Sequence, residues 1–209
     1  MHGRAAITQL LNTYQEGTKL MSDKQDQLFR ELTNRASALT NDWFAYWKAY
    51  SGYDTWQFWL IVAIFVLPLI ALARFVDRKQ AFRIGFFGLS AHMIAVYCDL
   101  FATSHRLWEY PYKITVLFPA GIGIDASLIP VAYMLTYQWT LNRKKNYYLY
   151  IGLLSAAFSF LFKPLLSALD LFVFLESNYF QLFLFYLVGG FVCKWLADLF
   201  QYAQKSSGP

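Results

Sequence analysis

Five apolar runs fill most of residues 56–199, and each is long enough to cross a bilayer as a helix. Nothing else in the chain constrains its fold as strongly. A backbone in hydrocarbon must satisfy its own hydrogen bonds, so the runs read as helices packed into a bundle. The sequence therefore predicts an all-α integral membrane protein: five transmembrane helices preceded by an amphipathic N-terminal helical arm. Three of the runs carry an ionisable residue away from their ends: Asp99, Asp125 and Lys163. A charge at such a place is expensive and persists where it is paired, hydrated or used.

The spans are expected at about 56–74, 82–103, 114–141, 147–169 and 179–199. Asp54 with Gln57 can cap the first, and Asn178 the last. Pro68 lies inside the first span, Pro119 and Pro130 inside the third, and Pro164 follows Lys163 in the fourth. Pro130 and Pro164 leave carbonyls without intrahelical donors, which need other partners. Glycines Gly85 with Gly88, Gly121 with Gly123, and Gly189 with Gly190 would let helices approach closely.

Composition fits this reading. Only 15% of residues are charged and 57% are hydrophobic, against about 25% charged in an average soluble domain. The net charge of +5 reads as membrane topology, not as a nucleic-acid surface. Cys98 and Cys193 fall in different spans and read as packing residues, not as a disulfide. No enzyme signature, nucleotide loop, metal motif or cofactor motif is present, so none is expected.

Residues 1–53 form the arm. Apolar or aromatic residues recur at Ile7, Leu11, Tyr14, Met21, Leu28, Leu32, Leu39, Trp43 and Tyr46, mostly in steps of three, four or seven. That is one stripe of a helix, interrupted at Thr18, Gln25 and Arg35. Ser22 with Gln25 can restart it as a capping box. The stripe suits a helix lying on the bilayer or on its own protein. It also suits an arm that forms a homo-oligomer or holds a protein partner. Its last part, from Trp43 to Tyr53, is crowded with aromatics that favour the headgroup level. Residues 1–20 lack the apolar core of a signal peptide. The five-span domain covers 54–203, and 204–209 form a short polar tail.

Lysine and arginine set the orientation. Arg74, Arg78, Lys79 and Arg83 flank the first connection between spans, and Arg143, Lys144 and Lys145 the third. Lys194 and Lys205 add to the same side. The other side has Lys48, Arg106 and Lys113, together with the acidic Asp170 and Glu176. The positive-inside rule then places the C-terminus in the cytoplasm of a bacterial cell and the arm outside.

Depth follows from a rise of about 1.5 Å per residue. Asp99 falls roughly 6 Å, His92 roughly 16 Å, Asp125 roughly 16 Å and Lys163 roughly 9 Å below the outer ends of their spans. All four share the outer half, and His92 and Asp99, seven apart, share a helix face. A Lys163–Asp125 or Lys163–Asp99 pair would cancel two costly charges. Plainer explanations are that Lys163 snorkels, that Asp99 reaches the headgroups, or that a salt bridge only holds the bundle together. Lys194 and Asp198 read as a surface pair. Between the second and third spans, His105 and Glu109 could ligate a metal if helical. The stronger reading of Trp108, Glu109, Tyr110 and Pro111 is an interfacial aromatic anchor.

The run from Asp125 through Pro130, Tyr133 and Tyr137 to Trp139, with Trp108-Glu109-Tyr110-Pro111 and Phe162-Lys163-Pro164-Leu165-Leu166, resembles a family of small multi-pass membrane proteins of spore-forming Firmicutes. The resemblance covers roughly 54–200 and implies fold, membrane location and lineage, not mechanism. In order, Asp99, Trp108, Tyr110, Pro119 and Asp125 are also faintly similar to carotenoid (lycopene) cyclase-type membrane domains. The paired glutamates of those domains are absent here.

The leading expectation is a non-enzymatic membrane protein. It would bind a small ligand or a protein partner through an outward-facing polar pocket between spans 2, 3 and 4. A transporter or ion-path component acting as an oligomer is the second. An isoprenoid-acting membrane enzyme is the third.

Overall fold

The computed structural model describes residues 22–117 and 121–206. The stripe positions up to Met21, Pro119 and the last three residues lie outside that description. The chain forms two compact units, Met1–Ala45 and Tyr46–Pro209. About 81% of the described residues are helical, so the all-α expectation holds.

The first unit is described by helix α1, Asp23–Tyr50, which continues into the second. Ser22 accepts from the Gln25 amide at 3.3 Å, as the capping-box reading requires. Asp23 and Asp26 complement the positive N-terminus of the helix, and Lys48 sits in its last turn. Arg30 bonds Asp26 at 3.0 Å and Arg35 bonds Glu31 at 2.6 Å, each one turn apart. Such exposed pairs add only tenths of a kcal/mol, ~0.3–0.5 each. No residue of α1 is buried, and Leu28, Phe29, Leu32 and Leu39 are all exposed.

In the second unit, α2 spans Trp56–Phe75 and α3 spans Ala81–Ser104. Helix α4, Ile129–Arg143, follows a π turn at Ile124–Leu128. Helix α5, Tyr147–Ala157, leads through a second π turn, Phe158–Phe162, into α6, Lys163–Ala168. Helix α7 is Tyr179–Ser206. Thr55, not Asp54, caps α2, because its hydroxyl reaches the Phe58 amide at 3.4 Å. Asn178 caps α7 as expected, taking the Gln181 amide at 3.0 Å. Helix α7 also runs on into the expected polar tail.

Among the described residues, four helical stretches are long and apolar enough to cross a membrane: Trp56–Phe75, Arg78–Ser104, Tyr147–Ala168 and Tyr179–Ser206. The remaining apolar run is less hydrophobic for a physical reason. Its helix is lined with buried residues, among them Val131, Tyr133, Met134 and Tyr137. A helix enclosed by protein need not be as apolar as one facing lipid. Helix α2 is the converse, with no buried residue and the highest mean hydropathy of the four, 2.4.

Both π turns stand immediately before a proline. Pro130 and Pro164 lie in the first turn of α4 and α6 and have no N–H to donate. The chain answers by widening the turn before each. Ile129 bonds back five residues to the Ile124 carbonyl, and Lys163 to the Phe158 carbonyl.

The two ends of the bundle differ. At one, strand β1 (Trp108–Glu109) pairs antiparallel with β2 (Val173–Phe174), tying the loop after α3 to the loop after α6. At this strand end, Ser51 accepts the Lys113 amide at 2.9 Å, and Trp47 Nε1 donates to the Lys113 carbonyl at 2.8 Å. At the opposite, lysine end, Gln138 accepts the Asp77 amide at 2.8 Å and donates to the Phe75 carbonyl at 2.9 Å. Gln80 reaches Asn142 at 2.7 Å. The Gln80 side chain and the Lys79 amide, both bonded to Asp77, hold its carboxyl below the ordinary carboxylate range. The continuous helical stretch 122–143 thus runs from the strand end to the lysine end.

The lysine half of the core is aromatic. Phe87 stacks on Tyr137 at 4.2 Å, Tyr147 meets both edge-on, and Arg83 donates to the Tyr137 hydroxyl at 2.9 Å. Gly190 permits α7 to close on α5, since a Cβ there would lie 2.6 Å from Ile151.

Candidate functional site

Asp99, Asp125 and Lys163 meet in the strand half of the bundle. Helix α3 supplies Asp99, the first π turn supplies Asp125, and Lys163 begins α6 directly after the second π turn. All three are buried, at 3%, 4% and 1% exposure. That burial removes the snorkelling reading of Lys163 and the headgroup reading of Asp99.

Asp99 is the organiser. Its Oδ1 accepts from Trp108 Nε1 and from the Tyr110 hydroxyl, both at 2.7 Å. Its Oδ2 accepts from the Gly121 amide at 2.8 Å. Three donors on one carboxylate are what a buried charge needs to remain in place. Gly121 allows the approach, because a Cβ there would fall 2.6 Å from the Tyr110 ring.

Lys163 does not form the direct ion pair that depth arithmetic suggested. Its ammonium donates to the Tyr110 hydroxyl at 3.2 Å and has no carboxylate oxygen within 4.0 Å among the described residues. It lies 4.0 Å from the centroid of the Phe172 ring and 4.9 Å from that of Tyr110. Ring faces are attractive to a cation, most of all away from water. Tyr110 therefore bridges the charges, giving its proton to Asp99 and its lone pair to Lys163.

Asp125 faces the same cluster, with Asp99, Lys163 and Tyr110 as its electrostatic neighbours. Its Oδ2 is buried and has no hydrogen-bond partner among the described residues. It opens on a cavity of about 40 Å³ lined also by Cys98, Tyr133, Tyr186 and Cys193. A water needs about 10–15 Å³ measured this way, so the cavity holds up to about three. A second, smaller cavity of about 20 Å³, lined by Tyr112, Lys113 and Thr115, adjoins it toward the strand end. Tyr110 lines both and forms the wall between them.

Formal charges frame the chemistry. Two carboxylates face one ammonium, so the fully ionised site carries one net negative charge. It becomes neutral on gaining one proton or one small cation. No group of three metal-ligating side chains occurs among the described residues.

His92 stays apart. It is half-buried on α3 and lines neither cavity, although helical spacing placed it on the Asp99 face. Seven residues are about 10 Å along a helix, too far for one small cluster. His105 and Glu109 do not converge either. His105 Nδ1 pairs with the Phe101 carbonyl at 2.8 Å, and Glu109, on a strand, pairs with Lys113 at 3.4 Å. Lys194 and Asp198 form the expected pair one helical turn apart.

Trp108 and Tyr110 are the residues that sequence reading misplaced. They are not an interfacial anchor but buried ligands of Asp99, each 3% exposed. The available signal was their separation from Asp99, nine and eleven residues across one tight connection. Comparisons with family models, curated proteins and solved structures returned no match.

Proposed function

We propose that this is a non-enzymatic membrane protein that binds a small cation in the Asp99–Asp125–Lys163 cavity. The observation that carries the proposal is the unpartnered Asp125 Oδ2, buried and facing a water-sized cavity. The surplus of one carboxylate over the ammonium supports a positive ligand, and the volume supports a monovalent ion or a methylammonium-sized amine. Access from the strand end past Tyr110 is favoured by the second cavity there.

The ion-path and isoprenoid readings have less support. Stacked Phe87 and Tyr137, with Tyr147 edge-on to both, fill the lysine half, where a path would have to continue. A cavity of about 40 Å³ is far too small for an isoprenoid.

The experiment is thermal unfolding of the purified chain at constant ionic strength in sodium, potassium, methylammonium or tetraethylammonium chloride. One of the small cations is expected to stabilise it, by about 2.7 kcal/mol at a hundred times its dissociation constant. Tetraethylammonium should have no such effect, and Asp125→Asn should remove the response. Equal unfolding in all four salts would sink the proposal, as would an unchanged response in Asp125→Asn.

We further propose five spans, counting residues 122–143. The support is the path of that helix between the strand and lysine ends, with the helices before and after it in the chain running the opposite way. Arg74, Arg78, Lys79, Arg83, Arg143, Lys144 and Lys145 cluster around the lysine end, which favours placing it in the cytoplasm. The cation cavity would then face outward. The exposed stripe of α1, taken by itself, suits lipid or a second copy. Lys144→Cys is expected to react with a membrane-impermeant maleimide only in inside-out vesicles. Labelling from the external face of intact cells would reverse the topology.

A further inference from the structure

A cavity of about 440 Å³ lies at the lysine end among α4, α5 and α7, and the cation site makes no use of it. Its walls include Leu141, Lys144, Lys145, Tyr147, Tyr148 and Lys194. We propose that it binds the phosphate ester of an anionic lipid headgroup.

The lysines are positioned by the turn that carries them. Helix α4 ends with Lys144 in the left-handed conformation (φ 51°, ψ 40°). Its amide bonds the Leu141 carbonyl at 3.3 Å, and the Lys145 amide bonds the Thr140 carbonyl at 2.9 Å. Asn146 then caps α5 at once, taking the Tyr148 amide at 3.0 Å. Both lysines are thereby fixed at the mouth of the cavity. Lys194 reaches the same cavity from α7 and pairs with Asp198, which does not line it. Lys144 and Lys145 have no ion pair among the described residues, so two positive charges remain uncompensated. The positive N-terminus of α5 adds to them.

A lipid is favoured over a free phosphate by what borders the cavity. Tyr148 lines it, is half exposed and meets Phe191 of α7 edge-on at 5.2 Å. Beyond it along α5, Leu149 and Leu153 are each 57% exposed, on a stretch apolar enough to sit in hydrocarbon. An acyl chain would follow that surface while its phosphate met the lysines. Basic pockets between membrane helices recognise anionic headgroups in this way.

The test uses the purified full-length chain in detergent, titrated with phosphatidylglycerol or phosphatidylcholine and read by native mass spectrometry as bound lipid. Phosphatidylglycerol should bind in preference. The Lys144→Gln/Lys145→Gln variant should bind it about thirtyfold more weakly, two lysines' worth of surface attraction. The Lys144→Arg/Lys145→Arg variant should bind normally, which separates charge from fold. Glycerol 3-phosphate in the buffer distinguishes the source. Failure to displace the lipid at millimolar concentration supports the headgroup assignment, and tight lysine-dependent binding of the soluble ester alone overturns it. Equal retention of phosphatidylglycerol by wild type and the glutamine variant would also overturn the proposal.

Discussion

Asp99→Ala is expected to destabilise the bundle more than any other single change at the site, by about 3–5 kcal/mol. The substitution removes one acceptor group and strands three donors, Trp108 Nε1, the Tyr110 hydroxyl and the Gly121 amide. Each is left where little water can replace the lost bond. The loss also spreads, because Tyr110 held by Asp99 is what Lys163 donates to. Asp99→Asn should be milder, since one amide oxygen still accepts while the NH₂ group meets a donor. The check is reversible unfolding in mixed micelles. A loss below about 1 kcal/mol for Asp99→Ala would mean that the three bonds are not what holds the strand end together.

Lys163→Met is expected to be nearly as damaging, and to be rescued in part by a second change. Methionine keeps an unbranched apolar stem, one atom shorter than lysine, but leaves Asp99 and Asp125 with no countercharge. A broken buried charge set costs about 3–5 kcal/mol. Asp125→Asn in the same chain removes one of the two carboxylates. The double variant should therefore be more stable than Lys163→Met alone, with a coupling of about 1–3 kcal/mol between the sites. Additive losses would show that Lys163 and Asp125 do not share one charge balance. The cycle is informative because the two side chains form no direct ion pair among the described residues, so coupling would be carried by charge across the cavity and through Tyr110.

Much of this site was readable from residue type and position. Asp99, Asp125 and Lys163 announce themselves as charges in apolar runs, and a rise per residue suffices to put them in the same half of the bundle. Depth says nothing of rotation about each helix, and a shared face says nothing of axial distance, which is why His92 could be grouped with Asp99 and yet stands apart. Rotation is also where the two prolines act, because a π turn changes the face that follows it. Trp108 and Tyr110 were hidden for another reason. Aromatics beside a membrane surface are common, and only tertiary folding of the connection turns these two inward. The helix 122–143 shows the reverse: its length suits a span, while its hydropathy falls below that of the four long apolar stretches because it is lined with buried residues.

The two π turns have a consequence for how this site can change. Each inserts one residue relative to regular α geometry, and one residue is roughly 100° of helical phase. Asp125 and Lys163 are therefore aimed by an offset in register, set by Pro130 and Pro164, and not by a continuous apolar stripe. Loss of a single residue in either widened turn would leave length, composition and hydropathy almost as they are. It would swing the residues before the turn against those after it by more than a quarter of a revolution. The spans would still read as spans, but the charges would no longer face one another.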